Sequence, residues 1–239
     1  VELAEKDQPK FAKFWNEFSP FIKEGVATDP LARDDLLPLL RFNTTASGDD
    51  LASLAEYKER MIEGQEEIYY VLAGDLESAR RSPHLDALAD RGIEALLLHD
   101  MMDGFMLGGL RDYQGLKLRN IDDPNLTLPG EAAKPEVAVS DEQFAKLVSA
   151  FKETLGERIT TVRASNVLRH NPVRLVTPED QHNRDMARIQ RMLDREFKVP
   201  QKIVELNRGH ALIVNLARLV ESGANEELAK NLIDQLYDS

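Results

Sequence analysis

Ile68-Tyr69-Tyr70-Val71-Leu72 is an unbroken run of β-branched, aromatic and aliphatic residues, a composition that suits a buried strand. Downstream, Ser82-Pro83 opens a helix, because proline at the first helical position sacrifices no hydrogen bond. Gly92 supplies the stop. A second apolar run of strand length, residues 93–98, follows at once. Strand, helix and strand in this order predict a βαβ unit whose parallel sheet is covered. A short helix over 101–110 comes next, weakened by Gly104, Gly108 and Gly109.

Working outward from this block, Phe11, Phe14, Trp15, Phe18 and Ile22 recur at helical spacing and predict one apolar face of an amphipathic helix. Gly25 is its expected stop and Asp29-Pro30 a turn. A helix over 35–41, a polar loop over 44–50 and a helix over 53–61 lead to the first strand. On the other side, Pro124, Pro129, Gly130 and Pro135 mark residues 123–139 as a linker. Ser140 with Gln143 then forms a capping box for a helix striped by Phe144, Leu147, Val148, Phe151 and Leu155. Short strands are expected at 159–163 and 172–176, a helix at 183–197, and a closing helical hairpin joined at Ser222-Gly223. The reading is α/β and α+β: a first domain over 1–122 containing the βαβ unit, then a small α+β domain over 140–239. Val1 opens without methionine and the last helical pattern runs to Ser239, so a fragment cut at both ends is expected.

Composition narrows the function classes. Of 239 residues, 30 are Lys or Arg and 42 are Asp or Glu, a net charge of −12; this argues against a nucleic-acid clamp, which needs clustered positive charge. With no cysteine there is no disulfide scaffold and no thiolate chemistry. The apolar runs fall short of a membrane span, and no secretion signal is seen, so a cytoplasmic protein is the expectation.

Two kinds of chemistry remain. His99, Asp100 and Asp103 follow a strand end, where α/β sheets bind ligands, and could form a metal or acid/base site, although their spacing matches no zinc motif. Gly104, Gly108 and Gly109 fit neither phosphate-loop nor dinucleotide patterns. The other possibility is binding. Met101, Met102, Phe105, Met106 and Leu107 form one apolar cluster, and Met186, Ile189, Leu193 and Phe197 form another on a helix interleaved with arginines. Methionine-rich surfaces adapt to many partners, while plain core packing explains the same spacing. Leu228, Leu232, Ile233, Leu236 and Tyr237 stripe the last helix, which either packs on its own domain or associates across a two-fold axis.

Phe14-Trp15-Asn16-Glu17-Phe18, Leu39-Leu40-Arg41-Phe42, Ser53-Leu54-Ala55-Glu56-Tyr57, Glu63-Gly64-Gln65-Glu66-Glu67-Ile68-Tyr69-Tyr70, Ser82-Pro83-His84-Leu85 and Gly92-Ile93-Glu94 stand in the order in which similar motifs occur in the heat shock protein 90 family, bacterial HtpG type. The resemblance returns more faintly at Glu205-Leu206-Asn207 and at Leu232-Ile233-Asp234-Gln235-Leu236-Tyr237. It implies the later part of the middle domain and most of the C-terminal dimerisation domain of an ATP-driven chaperone, without the nucleotide domain or the catalytic arginine loop. ATP and magnesium are thus implied for the full-length family and no cofactor or catalytic residue for this stretch. The implied partners are unfolded or partly folded proteins, bound through Phe105, Met106, Met186, Ile189 and Leu193, and a second copy, met through Leu228, Leu232, Ile233, Leu236 and Tyr237. Without the family's last helix, dimerisation is expected to be weak or absent. Gly104 and Phe105 stand where bacterial relatives usually carry an acidic residue and a tryptophan, Gly108 where a larger polar residue is usual, and His182 about where a methionine is expected.

Overall fold

The computed structural model describes residue 3 and residues 6–123, 125–129, 138–178 and 201–238. These fall into two compact units, one built from 6–82 and 92–121, the other from 83–91, 122–178 and 201–238.

The first unit opens on α1, Gln8–Thr28, which Asp7 caps by accepting from the Lys10 N–H. It runs through both Pro20 and Gly25 rather than stopping at the glycine. Ile22 and Val26 are buried in the core, and that packing holds the last turns in place. Not all of the expected apolar face is core. Phe11 and Trp15 are buried, but Phe18 is 49% exposed and stacks on Phe14 with ring centroids 5.0 Å apart. The helix expected at 35–41 is shorter and displaced: α2 covers Arg33–Leu36 and a 3-10 turn covers Leu37–Leu39, with Pro38 inside it. Next, β1 is Asn43–Thr44 and α3 is Leu54–Glu59, the latter opened by a reciprocal Ser53/Glu56 capping box.

The βαβ reading holds. β2, Glu67–Leu72, pairs in parallel with β3, Ala95–Leu98, in the register Tyr70↔Leu96. The crossover is not the single helix expected. It comprises α4, Leu76–Arg80, capped by Asp75, then a 3-10 turn over Pro83–Leu85 and α5, Asp86–Ala89. The stretch 83–91 folds with the second unit. After β3 comes α6, Met101–Gly109, followed by the hairpin of β4, Asp112–Tyr113, and β5, Leu116–Asn120. Gln114 and Gly115 both take positive φ in its turn, the backbone twist a two-residue hairpin needs. The completed sheet has the order β1-β3-β2-β5-β4, with the parallel strands central and antiparallel strands at both edges.

In the second unit, α7, Asp141–Leu155, begins at the expected Ser140/Gln143 capping box. Strands β6, Ile159–Ala164, β7, Val173–Val176, and β8, Lys202–Leu206, form a sheet of order β6-β8-β7. The central pairing is parallel to β6 and antiparallel to β7. Helices α8, Ala211–Ser222, and α9, Glu226–Asp238, turn about Gly223, whose left-handed backbone ends α8. Their apolar faces share one core with α7 and the sheet, centred on Leu147, Phe151, Val204, Ile213 and Ile233.

Candidate functional site

The end of β3 leads directly into α6, so the βαβ unit fixes where this helix starts. Asp100 is its N-cap: the Asp100 carboxylate accepts from the Asp103 N–H at 3.0 Å, and the Asp103 carboxylate accepts in return from the Asp100 N–H at 3.1 Å. Asp103 also accepts from the His99 N–H at 2.9 Å. From α1, Lys23 reaches this corner, pairing with Asp100 and lying 2.7 Å from Asp103. Burial alone would lower the Lys23 pKa, but the Asp103 and Asp100 carboxylates outweigh it and hold the ammonium above its ordinary range. At the other end of α6, a Cβ on Gly109 would stand 2.5 Å from the Val26 carbonyl oxygen and 2.7 Å from the Ala27 Cα. Glycine thus allows two backbones to touch. The helix is fastened to α1 at both ends.

What this mounting presents outward is small and apolar. Met101 is 52% exposed and Phe105, one turn later, 43% exposed. Gly108 continues the same stripe with open space around it. Met106 and Leu107 point the other way and are buried in the core. The expectation that Met106 forms part of a binding surface is therefore corrected: its side chain is 0% exposed, placed there by helical geometry opposite the outward stripe. Met186, Ile189 and Leu193 lie outside the described residues.

The acid/base or metal reading of His99, Asp100 and Asp103 finds no support. The two carboxylates are engaged by helix-capping N–H groups and Lys23, and the His99 Nε2 lies 3.2 Å from the Asn43 side-chain oxygen. Among the described residues, no group of three or more His, Cys, Asp or Glu side chains is disposed to hold a metal ion.

In the second unit the α9 stripe divides. Ile233 and Leu236 are buried in the unit's own core. Leu232 and Tyr237 are half-buried, and the Tyr237 hydroxyl donates to the Arg158 carbonyl oxygen at 3.2 Å. Leu228 is 46% exposed and Leu212 of α8 37%. A groove of about 210 Å³ lies among α7, α8 and α9, floored by Ala150, Leu219, Val220 and Ala229 and edged by Glu153 and Lys230. The bare periodicity of α9 carried no signal to separate the residues spent on the unit's own core from those left outside. The exposed rings of Phe18 and Phe21 on α1 were likewise missed as surface, since Phe18 continues the buried spacing.

Comparison with known proteins accounts for the whole chain. The profile of the family described as Hsp90 protein matches residues 1–239. The chaperone protein HtpG of Chlorobium luteolum is 34% identical over 238 residues, covering 99% of this chain and 38% of that protein. The HtpG of Legionella pneumophila is 34% identical over 236 residues, covering 98% and 38% respectively. That of Aromatoleum aromaticum is 36% identical over 234 residues, covering 96% and 36%. The chain thus spans less than two-fifths of the length of the curated relatives it matches. With the family profile matched from end to end, this chain belongs to the Hsp90 family.

Proposed function

We propose that the chain is the part of an Hsp90-type chaperone that holds unfolded or partly folded proteins and contributes to pairing with a second copy. The observation that carries the first half is the outward Met101–Phe105 ridge on a helix fastened at both ends. Exposed apolar groups on a rigid mount can cover apolar segments of a client without rearranging first. The acidic surface, with a net charge of −12, favours a soluble complex. Met186, Ile189 and Leu193 are proposed to extend this contact. Met106 supports it from beneath by packing.

For pairing, Leu228 with the half-buried Leu232 and Tyr237 is the available part of the α9 stripe. Ile233 and Leu236 hold the helix on its own unit. The ATPase activity, with ATP and magnesium, is a proposal for the longer protein only. Gly104, Gly108 and Gly109 lie within α6 rather than in a loop before a helix, so no nucleotide step is assigned to these residues. A cytoplasmic setting is part of the same proposal; among the described residues no helix is long and apolar enough to cross a membrane.

The test is binding of a permanently unfolded, fluorescently labelled protein, followed by anisotropy without nucleotide. Micromolar binding that weakens about tenfold in Met101→Ser/Phe105→Ser supports the reading, as expected from removing two apolar anchors. Unchanged binding by that double variant overturns the assignment of the ridge.

A further inference from the structure

The outward ridge of α6 carries one readily oxidised atom. Met101 is 52% exposed, and its thioether sulfur is the only heteroatom in the side chains of the ridge, since Phe105 is hydrocarbon and Gly108 has no side chain. The other described methionines are better protected: Met61 and Met102 are half-buried and Met106 is 0% exposed. Met186 and Met192 lie outside the described residues. Accessibility decides which thioether an oxidant reaches first. Met101 is therefore open to attack while Met106, on the same helix, is sealed.

Oxidation there changes the surface without dismantling the helix. A sulfoxide turns a flexible apolar side chain into a polar one with a strong hydrogen-bond acceptor. A client segment laid over Met101 and Phe105 would have to bury that acceptor with no donor opposite it, which is unfavourable. Residues four apart lie side by side on a helix, so the new dipole stands next to the Phe105 ring. The mount itself is untouched: the Asp100/Asp103 capping box, the Lys23 pairing and the Gly109 contact with α1 use no methionine sulfur. Met101 is also the first residue of α6, where the partial positive charge of the helix start favours the oxygen end of the S–O dipole.

We propose that Met101 is a site of reversible oxidation by hydrogen peroxide, and that its sulfoxide form switches the ridge to a weakly binding state. A sulfur lone pair attacks one peroxide oxygen, and the S–O bond forms as the O–O bond breaks. The proton on the transferred oxygen passes to the departing hydroxide to give water. Sulfur is oxidised by two electrons and peroxide is reduced by two. A thiol-dependent methionine sulfoxide reductase reverses the change, releasing the oxygen as water and leaving its thiols as a disulfide. The effect of the switch rests on the reading of the ridge as a client surface; the site of oxidation does not.

Peptide mass spectrometry of the whole chain after a pulse of hydrogen peroxide reads the site, and anisotropy with the labelled unfolded protein reads the effect. Met101 should gain its oxygen well ahead of Met61, Met102 and Met106. Binding should then weaken about fivefold, the scale of burying one unpaired acceptor, and reductase treatment should restore it. Met101→Leu keeps the apolar volume and should bind as the parent does, before and after peroxide, with every other methionine still present to be oxidised. Oxidation of Met106 before or together with Met101, with unchanged circular dichroism, would overturn the site. Undiminished binding by a parent whose Met101 is shown to be sulfoxide would overturn the switch and leave the ridge standing, as would an equal peroxide-induced loss in Met101→Leu. Absence of binding before any peroxide is added would instead overturn the ridge as a client surface and the switch with it, while the mass spectra still decide the site.

Discussion

Each unit builds a charged triad around a buried centre, and the two are inverted in sign. In the first, the cation Lys23 sits between the carboxylates of Asp100 and Asp103. In the second, the carboxylate of Glu205 sits between Arg163 and Arg174, with nearest approaches of 2.6 Å on both sides. The first triad joins two helices. The second lies along the sheet: Arg163 on β6 and Arg174 on β7 stand directly opposite Glu205 on the central β8, so a single carboxylate braces both strand pairings. They also differ in reserve. The Asp100 side chain is 44% exposed, and the Asp103 carboxylate keeps its capping N–H groups without Lys23. Arg174 and Glu205 are both nearly sealed from water. The same chemistry thus braces the second unit more tightly than the first.

The largest effect is expected from Glu205→Ala, which takes the carboxylate away from the buried Arg174. It should lower the stability of the second unit by about 3–5 kcal/mol, read as loss of hydrogen-exchange protection in β6 and β7. Lys23→Met should cost less, about 2 kcal/mol, because both carboxylates retain partners or water. Trp15 is the only tryptophan. It lies in the first unit with Lys23 5.8 Å from its ring, so fluorescence-detected urea unfolding reports this variant selectively. Equal costs for the two substitutions would abolish the distinction between the triads.

Their pH responses should also be opposite. Burial alone would raise the Glu205 pKa, but Arg174 and Arg163 outweigh it and hold the value below 4.5. The stability Glu205 contributes is therefore fully present above pH 4.5 and is lost as pH falls through the lowered folded value. Lys23 is raised above 10.5, so its contribution is fully present below pH 10.5 and disappears as pH rises through the folded value. The Glu205→Gln deficit should shrink in acid, and the Lys23→Met deficit in alkali, when unfolding is followed across both ranges. A Glu205→Gln deficit that persists unchanged down to pH 2 would contradict this assignment.

The other fastening of α6 gives two smaller effects of opposite sign. Gly109→Ala drives a methyl group into the backbone of α1 and should cost about 1–3 kcal/mol. Gly108→Ala, one residue away in open space, should instead stabilise by up to about 1 kcal/mol through helix propensity. Both are measurable through Trp15. If the two alanines behave alike, the close approach of α1 and α6 is not what limits position 109.

Local signals were legible where one residue type admits one physical answer. The β-branched and aromatic run at 68–72 pairs as expected, and the Ser140/Gln143 box closes as its spacing requires. β5 and β8 were not anticipated. The first carries Lys117 and Arg119, and the second buries Glu205, so neither shows a clean apolar strand pattern. Such charges are tolerated in a strand only because of partners elsewhere in the chain, and local spacing does not contain that information. The same limit applied to the candidate surfaces. Phe105 and Met106 are neighbours in sequence and equally apolar, yet one is exposed and the other sealed. The side of α6 that is turned toward the unit's core decides which is which.

The stretch 83–91 has a practical consequence for anyone dividing this protein. Both of its flanks run into the first unit, while its own side chains complete the second. A cut at the proline-rich stretch would yield a C-terminal piece starting near residue 140 that lacks Asp86. Three consecutive N–H groups at 169–171 would then face water or rearrange, and Arg174 would lose His84, which lies 3.4 Å away. Such a piece is a poor stand-in for the second unit, and inactivity measured on it would say little about the intact chain.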